Sequence, residues 1–439
     1  MENRVPTKMV EMTMKLRERN NSMNRLMRWL LSTFLLSGST LWADQFHYNN
    51  LVVGERAMGL GGAFCAVADD ASGLIYNPAG IAFALSNDIT GSANAFYKKK
   101  VTYKKTIGSQ DFTENSGGTL APFFGGMQKM DSLLPGLAFA FGLYSIDSEL
   151  KDQNDLIENI GTLERFHRTT NIRGSTTGMG AAVAKRIFQS ASIGLSLSLI
   201  TVDELVQEYQ DVKYTDARFV AQNYRTQLKG SGLEIGFGSQ YAIGTWSFGL
   251  STKIRQVMSS EYQVALDYHS NLDPATSQLT DLFAIFTNTT TDDALGTMPT
   301  EVRVGTAWFP SASFLWSFDV IHHTKTESDK LPKLFNREAV TNFATGAEYY
   351  ITPSIPVRTG VFTNYDTRPK VEAGKLGQAD HIDYLGYSLF FGWVQPNSQV
   401  ALGAIYQSGD GKSQKINGAA IQEVEAQSFT FALSVTHSF

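Results

Sequence analysis

The chain closes on an unbroken alternation. From Ser428 to Phe439, Phe429, Phe431, Leu433, Val435, His437 and Phe439 fall on one side, and Ser428, Thr430, Ala432, Ser434, Thr436 and Ser438 on the other. Successive side chains of a strand point to opposite faces, so this is a strand with one greasy face and one small polar face. The pattern recurs upstream. Leu137, Phe139, Phe141 and Leu143 alternate with Ala138, Ala140 and Gly142, and Ile193 to Leu199 alternate with Ser192 to Ser198. Trp246 to Leu250, Phe314 to Val320, Leu385 to Trp393 and Val400 to Tyr406 repeat it. Such segments approach about 10 residues, the length that crosses a bilayer at a tilt, against about 5–6 for strands of a soluble sandwich.

The connections sharpen this picture. Tight links fall near Gln128–Pro135, Phe188–Ala191, Ala242–Thr245, Phe309–Ala312, Thr352–Ile355 and Gln395–Ser398. Between them lie long polar stretches: Lys98–Gly118, Asp147–Leu163, Gln210–Asn223, Asp267–Met298, Lys325–Ala339, Asp366–Asp380 and Gly409–Glu425. Short and long connections alternate, as short periplasmic turns and long outer loops do in an outer-membrane barrel. They predict an all-β transmembrane barrel of about 14 antiparallel strands, with both termini periplasmic. Trp308, Phe309, Phe314, Trp316, Tyr349, Tyr350, Phe391 and Trp393 crowd the short links, as a girdle at the membrane boundary would.

The other end of the chain agrees. Arg25 and Arg28 precede a short apolar run, Trp29 to Leu36, and a small-residue exit to Ala43. This reads as a secretory signal, too short to span as a helix. Residues 1–43 are therefore expected to be extension plus signal, 44–87 a plug, and 88–439 the barrel. Mean hydropathy is -0.15 and no apolar run reaches the length of a spanning helix, which excludes a helical membrane protein. A net charge of -5 gives no footprint for nucleic acid. The single cysteine, Cys65, rules out an internal disulfide.

Asp44 to Leu85 does not alternate. Gly59, Gly61 and Gly62 permit close backbone packing. The Gly59-Leu60-Gly61 spacing fails as a dinucleotide fingerprint, because the third glycine would fall on Phe64. Ala63 to Ala71 suits a short helix, with Asp69 and Asp70 unfavourably near its end unless they bond elsewhere. A barrel this wide leaves its interior open unless something fills it, and this compact segment is expected to be the filling.

Here the chain resembles a known family. Arg56 to Ala63 (RAMGLGGA), Ala68 to Ser72 (ADDAS) and Asn77-Pro78-Ala79-Gly80 look like the amino-terminal hatch of the FadL/TodX outer-membrane transporters. The resemblance implies passive uptake of a hydrophobic small molecule, such as a long-chain fatty acid or aromatic hydrocarbon. It implies gating by Asn77, Pro78, Ala79 and Gly80, with Asp69 and Asp70 beside them. The same hatch occurs in barrels that serve secretion, so a periplasmic or secretion partner protein is the alternative.

Two surface features remain. Leu279, Leu282, Phe283 and Phe286 share one face at helical spacing in the longest polar stretch, a candidate surface for ligand capture or for packing on the apolar residues of Asp147–Leu163. Lys98, Lys99, Lys100, Lys104 and Lys105 form a basic run able to meet lipid phosphates, a carboxylate or water. No nucleophile–base–orienter set, Gly-x-Ser-x-Gly or metal-ligand spacing stands out, and His322 and His323 should face opposite sides of a strand. Neither an enzyme, a metal nor a cofactor is expected.

Overall fold

In a computed structural model, the structure describes residues 46–50, 52–107, 109–272, 279–375, 378–414 and 421–439. Fifteen strands are present among them. They are β1 (Asp88–Ile107), β2 (Gln110–Lys129), β3 (Leu137–Ile160), β4 (Leu163–Phe188), β5 (Ala191–Tyr214), β6 (Phe219–Ile243) and β7 (Trp246–Leu272). There follow β8 (Leu279–Asp292), β9 (Glu301–Ser311), β10 (Phe314–His323), β11 (Val340–Thr352), β12 (Ile355–Asn364), β13 (His381–Gln395), β14 (Ser398–Ser413) and β15 (Gln422–Ser438). All pair antiparallel with chain neighbours, and β1 pairs with β15, as Asp88↔Ser438 to Tyr103↔Val424. The ring bypasses β8: β7 meets β9 along Trp246↔Trp308 to Lys253↔Glu301. The closed barrel thus has the 14 strands that the alternation predicts.

Its outer face carries the apolar half of each alternation. Phe139, Phe141 and Leu143, Ile193 to Leu199, Leu385 to Trp393 and Phe429 to Val435 are exposed at every second position. At the usual strand rise and tilt, the Leu385–Trp393 run covers roughly 20 Å of height, a lipid-facing belt. The inner face holds the small half: Ala138, Ala140, Ser192, Ser196 and Ser198 are buried.

The barrel is lopsided. Strands β1–β7 have 20 to 27 residues, whereas β9–β13 have 10 to 15. Three polar stretches expected as loops are therefore largely wall: β1 and β2 stay paired to Ile107↔Gln110, β3 and β4 to Ile160↔Leu163, and β5 and β6 to Lys213↔Phe219. Ladder pairing satisfies their backbone groups whatever the side chains are. On the lower side, the β10–β11 connection turns inward, and its helix α3 (Pro332–Phe335) places Phe335 among Val202, Leu228, Tyr262 and Leu295 of the taller side.

The expected helix over 279–286 is strand β8, paired with β7 from Leu272↔Leu279 to Glu261↔Asp292. The threonine-rich continuation favours a strand, and a strand's period of two does not gather four residues at helical spacing on one face. Ile285 turns in against Tyr224, Leu266 and Tyr268, while Phe286 stays 66% exposed. Nor do the apolar residues of β3 cover it: Leu150 and Leu156 are themselves exposed. The lysine run is also strand. Lys98 and Lys100 face out, Lys99 lies over the Tyr384 ring, and Lys104 pairs with Glu425 at 3.0 Å.

Candidate functional site

Residues 52–84 lie inside the ring and are almost wholly buried. They form helix α1 (Glu55–Gly59), helix α2 (Gly73–Tyr76) and a 3₁₀ turn, Pro78–Phe83. The helix expected over 63–71 is absent. Gly61 and Gly62 take φ of 62° and 83°, which breaks the helix after α1, and residues 64–68 close a single turn. Asp69 and Asp70 do bond elsewhere: Asp69 accepts Arg56 Nη1 at 2.8 Å, and Asp70 accepts the Ser72 amide at 2.8 Å and its hydroxyl at 2.6 Å. Burial pushes the Asp70 carboxyl up to about 6.

An irregular buried segment has carbonyls and amides with no ladder to satisfy them. The inner wall supplies partners. Ser388 Oγ donates to Gly59 O, Ser317 Oγ to Ala63 O, Ser247 Oγ to Ala66 O and Ser192 Oγ to Ala79 O, all within 2.9 Å. The Phe64 and Cys65 amides both donate to Asp319 Oδ2, at 3.0 and 2.9 Å. Wall glycines let the backbones touch. A Cβ at Gly238 would fall 2.1 Å from Asn77 Oδ1, and one at Gly360 would fall 2.4 Å from the Gly61 nitrogen.

Asn77 is central to this seat. Its side-chain amide donates to Cys65 O at 2.8 Å and Ser239 O at 3.1 Å, and its Oδ1 caps the 3₁₀ turn through the Ala79 amide. Pro78 then sits at the first position of that turn, where its missing N–H costs nothing. Pro78 and Ala79 press on Gly194, and Gly80 packs against Ala68, where a Cβ would meet Ala68 O at 2.3 Å. Opposite, Arg358 is fully buried between Glu55 and Glu348, and Glu348 also pairs with Arg56 at 2.9 Å. Sequence reasoning missed this ion cluster, because its members are scattered over the segment, β11 and β12.

Above the segment the lumen is charged, not apolar. Glu301 meets Lys253 at 3.4 Å, Arg303 at 3.3 Å and His323 at 3.3 Å, and Arg255 meets Glu234 at 2.6 Å. His322 faces the other way and bonds Thr341, as its neighbour's inward position requires. Tyr48 stacks on His323 at 3.9 Å, so residues 46–50 rise from the segment into the lumen. One cavity among these residues is about 60 Å³, room for little more than water.

A larger space lies in the wall. Among the described residues, the β2–β3 ladder runs only from Lys129↔Ala138 to Phe123↔Tyr144. Above it β3 is offset by a bulge between Ser145 and Asp147, and β1 slips twice against β2 between Ser92 and Tyr97. Side chains tie the seam again higher up. Lys151 Nζ reaches Glu114 at 2.7 Å, and Gln153 bridges Thr113 O and the Asn115 amide. Arg168 links Glu114 to Glu208. Between ladder and ties opens a cavity of about 480 Å³, lined by Tyr97, Gly118, Glu149, Leu150, Arg173, Asp203 and Leu205. Tyr97 takes an inward position, whereas Leu150, Arg173, Asp203 and Leu205 take outward ones, so the cavity is a groove on the outer face of β3–β5 that reaches the seam at Tyr97 and Gly118.

No group of three or more His, Cys, Asp or Glu side chains able to hold a metal is gathered among the described residues.

No family model matches the chain, and no curated protein matches it. Solved structures do. A Pseudomonas aeruginosa FadL homologue superposes with a TM-score of 0.62 at 12% identity, over 90% of this chain and 100% of that one. The P. putida toluene transporter TodX gives 0.63 at 11% identity over 88% and 98% of the two chains. The Ralstonia pickettii toluene transporter TbuX gives 0.58 at 13% identity over 89% and 99%. The chain has the fold of these outer-membrane channels, a 14-strand barrel with a segment before it that is consistent with a hatch.

Proposed function

We propose that this protein is a bacterial outer-membrane channel for passive movement of hydrophobic small molecules, and that its route runs through the β2–β3 seam. The observation that carries this is the cavity of about 480 Å³ that reaches the β2–β3 seam from the outer face, beside a lumen lined by charge. A hydrophobic solute leaving water for the bilayer needs no energy source, only a path that avoids a charged interior. Burying an apolar molecule among Glu301, Arg303 and Arg255 would displace their solvation without replacing it. The likeness of fold to toluene transporters supports the same class of cargo.

In this reading residues 44–87 are the hatch, 88–439 the barrel, and both termini lie on the periplasmic side with the short turns. Asn77, Pro78, Ala79 and Gly80 keep the hatch seated, and Asp69 and Asp70 fix its loop. Phe286, exposed on β8, is the member of the Leu279, Leu282, Phe283 and Phe286 set whose side chain is described, and it stands where an arriving ligand would meet it.

One observation favours a second reading. A lumen filled by charge suits a barrel that serves a secretion or assembly partner as well as a channel. Transfer of a fluorescent fatty acid or a radiolabelled aromatic hydrocarbon across vesicles holding the purified barrel separates the two. Transfer well above empty vesicles supports the channel; none, with a stoichiometric protein co-purifying, supports the partner.

A further inference from the structure

The seam cavity carries charges at its outer rim that a purely apolar cargo would not need. Outward positions on β4 and β5 change character along the strands. Met179 and Leu199 end the apolar belt, and Thr177 and Thr201 bond each other at 2.8 Å just above. The next outward residues are Ser175 opposite Asp203, then Arg173 opposite Leu205. The rim thus stands where lipid headgroups meet water. Arg173 and Asp203 are exposed there, diagonal neighbours on paired strands, which places their backbones about 7–8 Å apart. Glu149, 5% exposed, lines the same cavity further in. Lys229 sits opposite Asp203 on β6 and adds a second cation at the edge.

We propose that this cavity seats the headgroup of a zwitterionic amphiphile, one bearing an anionic group and an ammonium, that enters sideways from the outer leaflet. The guanidinium of Arg173 takes the anion, in the fork geometry that suits phosphate or carboxylate. Asp203 takes the ammonium. The acyl tail stays against the belt below. A cargo with only an anion would add negative charge beside Asp203, and one with only a cation would add positive charge beside Arg173 and Lys229. The inference rests on the seam being the passage and names which class of molecule uses it.

The test is native mass spectrometry of the mature barrel in a non-ionic detergent. It is titrated with dihexanoyl phosphatidylethanolamine, dihexanoyl phosphatidylglycerol, laurate and free phosphoethanolamine. One phosphatidylethanolamine per barrel is expected, held about tenfold more tightly than phosphatidylglycerol or laurate. Arg173→Gln and Asp203→Asn should each weaken it by about tenfold, and Arg225→Gln, further out on β6, should not. Equal binding of the lipids, or no change in the two rim variants, overturns the headgroup seat. Free phosphoethanolamine binding as well as the lipid overturns entry from the leaflet. Vesicle transfer of a hydrophobic probe is measured on the same proteins. Transfer without the headgroup preference leaves the channel standing and removes this inference, whereas no transfer removes the passage itself.

Discussion

Two joints in this barrel are made in opposite ways. Where the hatch meets the wall, backbones touch through glycine, wall serines answer hatch carbonyls one by one, and Arg358 is locked between two carboxylates. Where β2 meets β3, among the described residues, the ladder stops at Phe123↔Tyr144 and the contacts above it are made by side chains. The same strand β3 stays laddered to β4 from Leu137↔Lys185 to Ile160↔Leu163. The hatch joint is costly to break because each partner left behind is buried and unsatisfied. The seam can part without breaking a backbone ladder. In the proposed reading, a plug that is fixed and a seam that is not send molecules beside the hatch, through the wall.

Substitutions at each joint sharpen the contrast. Arg358→Met should do most harm, about 3–5 kcal/mol, since Glu55 would lose its buried counter-ion and Glu348 would keep only Arg56. Denaturant unfolding of the refolded barrel checks it, and a change under about 1 kcal/mol would contradict a locked hatch. Asn77→Ala removes two buried donations and the cap on Ala79, and should cost about 2 kcal/mol. Planar-bilayer conductance should then rise as the hatch loosens, with barrel assembly intact by heat-modifiable migration. Lys151→Met acts on the other joint. Glu114 keeps Arg168, so stability should fall by only about 1 kcal/mol, while probe transfer through the loosened seam increases several-fold. A stability loss as large as that of Arg358→Met would make the two joints alike.

The smallest effect is a pH dependence. The folded Asp70 carboxyl sits at about 6, above the ordinary value near 4. Between those values the folded state holds a proton that the unfolded chain has released, so this contribution is present below about pH 4 and lost as pH rises through about 6. Unfolding midpoints compared at pH 5 and pH 7 should show a fall that Asp70→Asn lacks.

Much of this was legible in the residues, and the failures have one physical cause. Strands were readable where lipid lies outside and small residues inside, because that contrast produces the alternation seen at Leu385–Trp393 or Phe429–Val435. Above the belt water lies outside and ion pairs inside, so both faces are polar and the periodic signal vanishes. Asp147–Leu163 and Gln210–Asn223 therefore read as loops although they are largely ladder. The same loss of contrast let four apolar residues at 279–286 pass for a helix. The hatch motif located the seat at Asn77, but not Glu348 or Arg358, whose meeting depends on register. The seam was invisible, since a ladder's end leaves no mark beyond a few glycines.

The seam as passage is tested most directly by sewing it shut. A Cβ at position 118 would lie 3.8 Å from that of Leu150, the mean separation in a disulfide, and the one native cysteine, Cys65, is buried. In vesicles holding Gly118→Cys/Leu150→Cys, the account predicts that oxidation abolishes transfer of a hydrophobic probe and that reductant restores it. Undiminished transfer through the fully cross-linked barrel would contradict it.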